Sequence, residues 1–277
     1  MKRLALLFLF AVPLFGQDLF PRFSVTGGTS AASFETNARI DPEGTGGSGT
    51  VVAFERDLGL EDERTVQRFG VQWRPFSRHE LAATFFSAPR SGFEQIDREI
   101  TFGDETYPVR ALVTTELDLD YRSATYTYWM RRSERDGLGI SLGAAALSFN
   151  ASVIAETEDQ TVTLSEHAET DVPVALLGLQ GRVALMDRLH AEGSVSTLPR
   201  VTIEGYTGDA LTGNVRLEYR PLRWLGIGAA YHYFRLDVDV AQAGELNGSL
   251  DMTIQGPEGY LRLAFWGSSV RESRPSP

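Results

Sequence analysis

Apolar and polar residues alternate with a period of two along most of this chain. In Leu211–Arg220, Leu211, Gly213, Val215, Leu217 and Tyr219 share one face, and Thr212, Asn214, Arg216, Glu218 and Arg220 share the other. Successive side chains of a strand point to opposite faces, so this run predicts a strand with one oily and one polar side. The next run repeats the pattern, with Leu225, Ile227, Ala229, Tyr231 and Tyr233 opposite Gly226, Gly228, Ala230 and His232. Between them lies Arg220-Pro221-Leu222-Arg223, flanked by Tyr219 and Trp224, which reads as a tight hairpin with aromatic shoulders. Earlier, Phe69, Val71 and Trp73 alternate with Arg68, Gly70, Gln72 and Arg74. Pro75-Phe76-Ser77-Arg78 then turns the chain into Leu81, Ala83 and Phe85. Amphipathic runs of period 3.6 with proper caps are nearly absent, so the predicted class is all-β.

Two segments change phase. Val109, Val113, Leu117, Leu119 and Tyr121 give way to Ala124, Tyr126, Tyr128 and Met130, and Leu138, Ile140 and Leu142 give way to Leu147, Phe149, Ala151 and Val153. An inserted residue swaps the faces of a strand, so bulges are expected near Ser123 and Ala145. Asp237 and Asp239, set between Leu236, Val238 and Val240, are expected to line the upper interior. Short connections fall at 75–78, 132–137, 186–188 and 220–223. Longer polar ones fall at about 40–48, 100–108, 155–171, 203–210 and 241–248. Counting residues 50–74 as one long strand, nine connections join ten strands, and eight or twelve also fit. Short turns on one rim and long loops on the other is the layout of an antiparallel up-and-down transmembrane β-barrel.

The N-terminus supplies a compartment. Lys2 and Arg3 precede an apolar run from Leu4 to Phe15, and Gly16 is a small residue before Gln17 and Asp18. Residues 1–16 therefore read as a secretory signal peptide, because twelve apolar residues interrupted by Pro13 are too short to span ~30 Å of hydrocarbon. Removing its two cations takes the formal net charge from −11 to −13, which argues against nucleic acid as a partner. The chain has no cysteine, which suits passage through an oxidising periplasm and excludes a lipoprotein anchor. No other apolar run approaches eighteen residues, so a membrane form of this chain must cross with strands closed into a barrel.

Alternation alone also fits a soluble sandwich, whose charged faces would meet water. In a barrel, Arg68, Arg74, Glu116, Asp118, Asp120, Arg182, Glu192, Arg216, Glu218 and Arg262 would face the lumen and pair there. The signal peptide, the Tyr and Trp residues beside the short turns, and the closing run Tyr260-Leu261-Arg262-Leu263-Ala264-Phe265 favour the barrel. With these features the chain resembles small bacterial outer-membrane β-barrel proteins of the OmpA and OmpX kind, over residues 17–266. The resemblance rests on pattern, implies fold and location, and transfers no functional residue. Residues 267–277, rich in Gly, Ser, Arg and Pro, are expected to be a disordered tail.

Candidate chemistry is sparse. None of His79, His167, His190 and His232 makes a metal-spaced pair or the His-x-Ser pair of barrel deacylases, since the residues two after them are Leu81, Glu169, Glu192 and Phe234. Gly-x-Ser-x-Gly is absent. Asp104, Glu105, His167 and Asp171 could gather at the upper rim as a protease-like site, but acid-rich loops are ordinarily solvated surface. The acidic stretch 155–171 lacks the D-x-D-x-D-G spacing of a calcium loop, and could meet divalent ions bridging lipopolysaccharide phosphates. Gly44-Thr45-Gly46-Gly47-Ser48-Gly49 matches a dinucleotide fingerprint formally, yet no helix follows it. The expectation is a non-enzymatic outer-membrane barrel of structural, binding or narrow-channel type. It has no catalytic, cofactor or metal residue. Its partners are outer-membrane lipid, lipopolysaccharide and the barrel-assembly machinery. An enzyme acting on envelope lipid and a soluble lipocalin-like binding protein are the alternatives.

Overall fold

The computed structural model describes residues 19–41, 49–95, 99–102, 105–107, 112–156, 166–203, 206–241 and 247–266. The segment read as a signal peptide, most of the Gly-rich stretch and the expected C-terminal tail lie outside the described residues. The strands, in chain order, are β1 (Phe23–Asp41), β2 (Val52–Ala53), β3 (Glu63–Phe76), β4 (His79–Gln95), β5 (Ile100–Phe102), β6 (Glu105–Tyr107), β7 (Leu112–Arg132), β8 (Asp136–Glu156), β9 (Glu166–Ala184), β10 (Leu189–Ile203), β11 (Tyr206–Leu222), β12 (Leu225–Ala241) and β13 (Asn247–Phe265). One short helix, α1 (Phe54–Asp57), follows β2.

Eleven strands form one sheet, in which β2 is a two-residue appendage on β1. The other ten run antiparallel, neighbour to neighbour, and β13 pairs back onto β1 to close the ring. Phe23↔Phe265 through Asp41↔Asn247 join the ends of the chain, so the closing run seen in the sequence is the seam strand. A closed ring leaves no edge with unpaired backbone groups, as a lipid environment requires, and a two-sheet sandwich is excluded.

The strand faces fall as the alternation predicts. Leu217, Ile227 and Tyr231 are 47%, 48% and 49% exposed on the outer wall, while Glu218 is 3% exposed in the lumen. Around the ring, Val25, Val71, Leu81, Ile140, Leu179, Val215 and Leu263 continue an exposed apolar band. On β8 the band extends from Leu138 to Ala146, about the ~25 Å that a tilted strand of this length covers. Phe23, Trp73, Phe76, Tyr219, Trp224 and Phe265 ring its lower edge beside the short turns.

The strands are longer than the band, and above it the faces exchange character. On β7 the outward residues become Glu116, Asp118 and Asp120, and the inward ones become Val113, Leu117, Leu119 and Tyr121. The expected bulges are not there. Ser123 pairs with Ala145 and with Thr84, and Ala145 with Val174, in unbroken register. The apolar phase swaps because the surroundings swap: lipid outside and a polar lumen below, water outside and an oily core above. Register shifts occur instead near the rims, at Trp73/Phe76, Trp129/Arg131, Leu198/Val201 and Tyr219/Leu222.

The same exchange corrects two further expectations, and a third fails for another reason. Glu116, Asp118 and Asp120 face out rather than into the lumen. Asp237 and Asp239 lie on the outer wall, where they meet Arg200, while Leu236 takes the inner position. Residues 50–74 are not one strand, because β2, α1 and a turn precede β3. Strands also extend into the presumed loops, so that β10 and β11 are separated by residues 204–205 alone.

Candidate functional site: a lumen closed at three levels

The lower mouth is closed by the segment entering β1. Leu19 and Phe20 are buried with Trp129, and the Phe20 and Trp129 rings meet edge to face at 4.8 Å. Arg74 donates to the carbonyl oxygens of Phe20 and Pro21, fixing that segment across the opening.

Above it lies an ionic network from the polar faces of β3, β4 and β9–β13. Arg182 binds Glu80 through both terminal nitrogens, at 2.7 and 2.8 Å, and reaches Glu192 through Nε at 3.1 Å. Gln72 donates to Glu80 at 2.6 Å, and Gln180 to Glu192 at 2.9 Å. Arg262 lies between Glu218 (3.3 Å) and Glu192 (3.6 Å), and Arg220 pairs with Glu218 at 2.7 Å. Nearer the middle, Glu258 sits 3.2 Å from Arg68 and 2.5 Å from His232. The bidentate, hydrogen-bonded pairing of Arg182 with Glu80 is of the kind that makes buried charge tolerable. The network ties β4 to β9, β10 and β13 across the lumen. Within it is a chamber of about 170 Å³, lined by Arg68, Arg216, Arg262, His232 and hydroxyl side chains such as Ser194 and Thr212.

The next level is apolar. Phe34, Phe86, Leu119, Leu147, Leu176, Phe234, Leu236, Met252 and Ile254 fill the lumen as a contiguous core. Phe86 stacks on Tyr121 at 4.9 Å, and Arg68 reaches up under Phe86 at 4.4 Å, joining the two levels.

The third level is a cap made by the β1–β3 connection. Phe54, Leu58 and Leu60 pack with Val52, Ile100, Val113 and Leu117 over the core. Its latch is Arg90, whose side chain is 0% exposed. Arg90 donates to Glu55 at 2.6 Å and to the Thr36 hydroxyl at 3.2 Å, and lies over the Phe34 ring at 4.3 Å. Glu55 in turn accepts from the Thr36 backbone N–H at 2.8 Å. Gly59, at φ +64, makes the turn that returns Leu60 to Gly92, and a Cβ at Gly92 would lie 2.6 Å from the Gly59 and Leu60 backbone.

Among the sequence candidates, His190 and His232 face the lumen as expected, the first buried and the second against Glu258. His79 sits at the lower rim, its Nδ1 2.7 Å from the Tyr126 hydroxyl. The side chains of Glu105, His167 and Asp171, and all of Asp104, lie outside the described residues, so the rim cluster is not placed. Among the described residues, no group of three or more His, Asp or Glu is arranged to hold a metal ion. Arg90 and the oily upper lumen went unrecognised. Their trace in the sequence was the phase change itself, with Phe86, Ala88 and Arg90 sharing the inward face of β4.

No protein-family model and no curated protein matches the chain. Among solved structures, the chain is similar to the outer membrane protease OmpT of Escherichia coli, with TM-score 0.55 and 10% identity over 88% of this chain and 96% of that one. The translocator domain of the autotransporter NalP from Neisseria meningitidis matches at TM-score 0.44 and 12% identity, over 90% and 91% of the two chains. Ail of Yersinia pestis matches at TM-score 0.30 and 11% identity, over 88% and 99%. At these identities the likeness to OmpT establishes the fold, that of outer-membrane β-barrels, and nothing further.

Proposed function

We propose that this chain is an outer-membrane barrel with a closed lumen, a structural or binding protein that acts at the cell surface and passes no solute through its centre. The observation that carries this reading is the stack of three obstructions: the Phe20–Trp129 plug with its Arg182–Glu80 staple, the apolar core around Leu147 and Met252, and the cap latched by Arg90. A dry apolar layer opposes water and ions even where charged layers would admit them. The apolar band and its aromatic lower edge support the outer-membrane location. The upper wall, with Glu116, Asp118, Asp237 and Asp239 facing out, supports a role at the aqueous surface. The reading assigns no catalytic step.

Planar-bilayer recording tests it. The refolded protein is expected to give no large, steady conductance, and Arg90→Met is expected to raise proteolysis of the cap without opening a pore, because the core beneath is intact. Stable large conductance from the wild-type protein would overturn the proposal.

A further inference from the structure

We propose that the chamber in the lower lumen is a binding site for one small anion, such as chloride or nitrate, held by Arg216. The first observation is charge. The lower lumen holds Arg68, Arg182, Arg216, Arg220 and Arg262 against Glu80, Glu192, Glu218 and Glu258, five cations against four anions among the described residues.

The second observation identifies the unpaired cation. Arg68, Arg182, Arg220 and Arg262 each have a carboxylate within ion-pair distance, whereas Arg216 has none among the described residues. Glu192 is its cross-strand partner in register, but that carboxylate is already engaged by Arg182 and Gln180. The Arg216 guanidinium lies 5.6 Å from the centre of the Tyr260 ring, and its buried Nε has no hydrogen-bond partner. A guanidinium cannot shed its proton to escape, so an unpaired one with a buried, unpartnered Nε calls for a counter-ion.

The third observation is the room and the ligands. The chamber of about 170 Å³ takes a small anion with a few waters, since liquid water occupies ~30 Å³ per molecule. Asn214, next on the same face, has a buried Oδ1 without a partner, and its amide can turn to offer N–H groups instead. The hydroxyls of Ser194 and Thr212 line the same wall.

The experiment compares thermal unfolding of the detergent-folded protein, read by heat-modifiable migration, in sodium chloride and in sodium lactobionate at equal ionic strength. Lactobionate, a disaccharide acid, is too large for the chamber. The wild-type midpoint is expected to rise saturably with chloride, as binding to the folded state alone requires. In Arg216→Gln the chloride response should vanish, and in lactobionate the variant should be the more stable of the two. Equal wild-type midpoints in the two salts, or an unchanged chloride response in Arg216→Gln, would overturn the site. If that variant does not fold, anomalous diffraction from wild-type crystals grown in bromide decides. A peak within about 4 Å of the Arg216 guanidinium supports the proposal, and a chamber without one refutes it.

Discussion

The lower and upper halves of this barrel are built from the same strands on opposite plans. Below, β7 shows Tyr126 and Met130 to the outside and Thr125 and Thr127 to the lumen. Above, the same strand shows Glu116 and Asp118 to the outside and Leu117 and Leu119 to the lumen. A wall in hydrocarbon gains little by hiding oily side chains from its surroundings, because those surroundings are themselves oily. Its interior can therefore be polar, and hydrogen-bonded ion pairs define it. A wall in water needs a hydrophobic core, and the upper lumen supplies one in Phe34, Leu147 and Met252. The boundary needs no break in the ladder, only a change of residue type at constant parity.

The comparison breaks most forcefully if the lower network proves dispensable. Among the described residues, Arg182→Met leaves Glu80 with Gln72 alone and Glu192 with Gln180 and the more distant Arg262. Removing one member of a buried, hydrogen-bonded pair costs about 3–5 kcal/mol, and urea unfolding from detergent or vesicles should show that loss. Adding Glu80→Gln should restore part of it, because the stranded charge disappears. Losses below about 0.5 kcal/mol in Arg182→Met would mean that the lower lumen is held by something else.

A second experiment locates the boundary from outside. Leu142→Arg and Asp118→Arg both put a guanidinium on the outer wall, the first at the middle of the apolar band and the second above it. For a barrel refolded in vesicles, the first should cost about 2–4 kcal/mol near the bilayer centre. The second should stay within about 0.5 kcal/mol, as surface changes do. Similar costs at both positions would erase the distinction between the zones.

Much of the lower half was legible in the sequence, because alternation of Leu217, Ile227 or Ile140 with polar neighbours fixes which face meets lipid once closure is assumed. The ten strands, the short turns on one rim and the last strand at Tyr260–Phe265 followed from the same pattern, although its pairing back onto β1 did not. The upper half was misread for a physical reason. Period-two alternation reports that two faces differ, not which one is inside. A strand that leaves the membrane inverts its faces as a bulge would, so Ser123 and Ala145 looked like insertions and Asp237 looked lumenal. Long-range pairing was invisible as well. Nothing local to Arg182 names Glu80, about a hundred residues away, and nothing local to Arg90 names Glu55.

The smallest effect contrasts the exposed charges with the enclosed ones. Asp237, on the outer wall, lies 3.8 Å from Arg200 and 3.6 Å from Arg235, with Asp209, Asp239 and Asp251 around it. Partial burial, and then the neighbouring Asp209 and Asp239, push its carboxyl above the ordinary aspartate range. A carboxyl raised in the folded state holds its proton more tightly there than in the unfolded chain. Its contribution to stability is therefore full below the unfolded value and is lost as the pH rises through the folded one. Asp237→Asn should remove that loss, giving a gain of a few tenths of a kcal/mol at pH 7, about the size of an exposed pair. The difference between variant and wild type should shrink as the pH falls. It should also shrink in 1 M salt, where screening acts within ~3 Å. The loss in Arg182→Met, sealed from solvent, should be nearly indifferent to the same salt. Unfolding midpoints for both variants across pH and salt would test the pair together. A salt-sensitive Arg182 effect or a salt-insensitive Asp237 effect would show that the ions of one half are no more enclosed than those of the other.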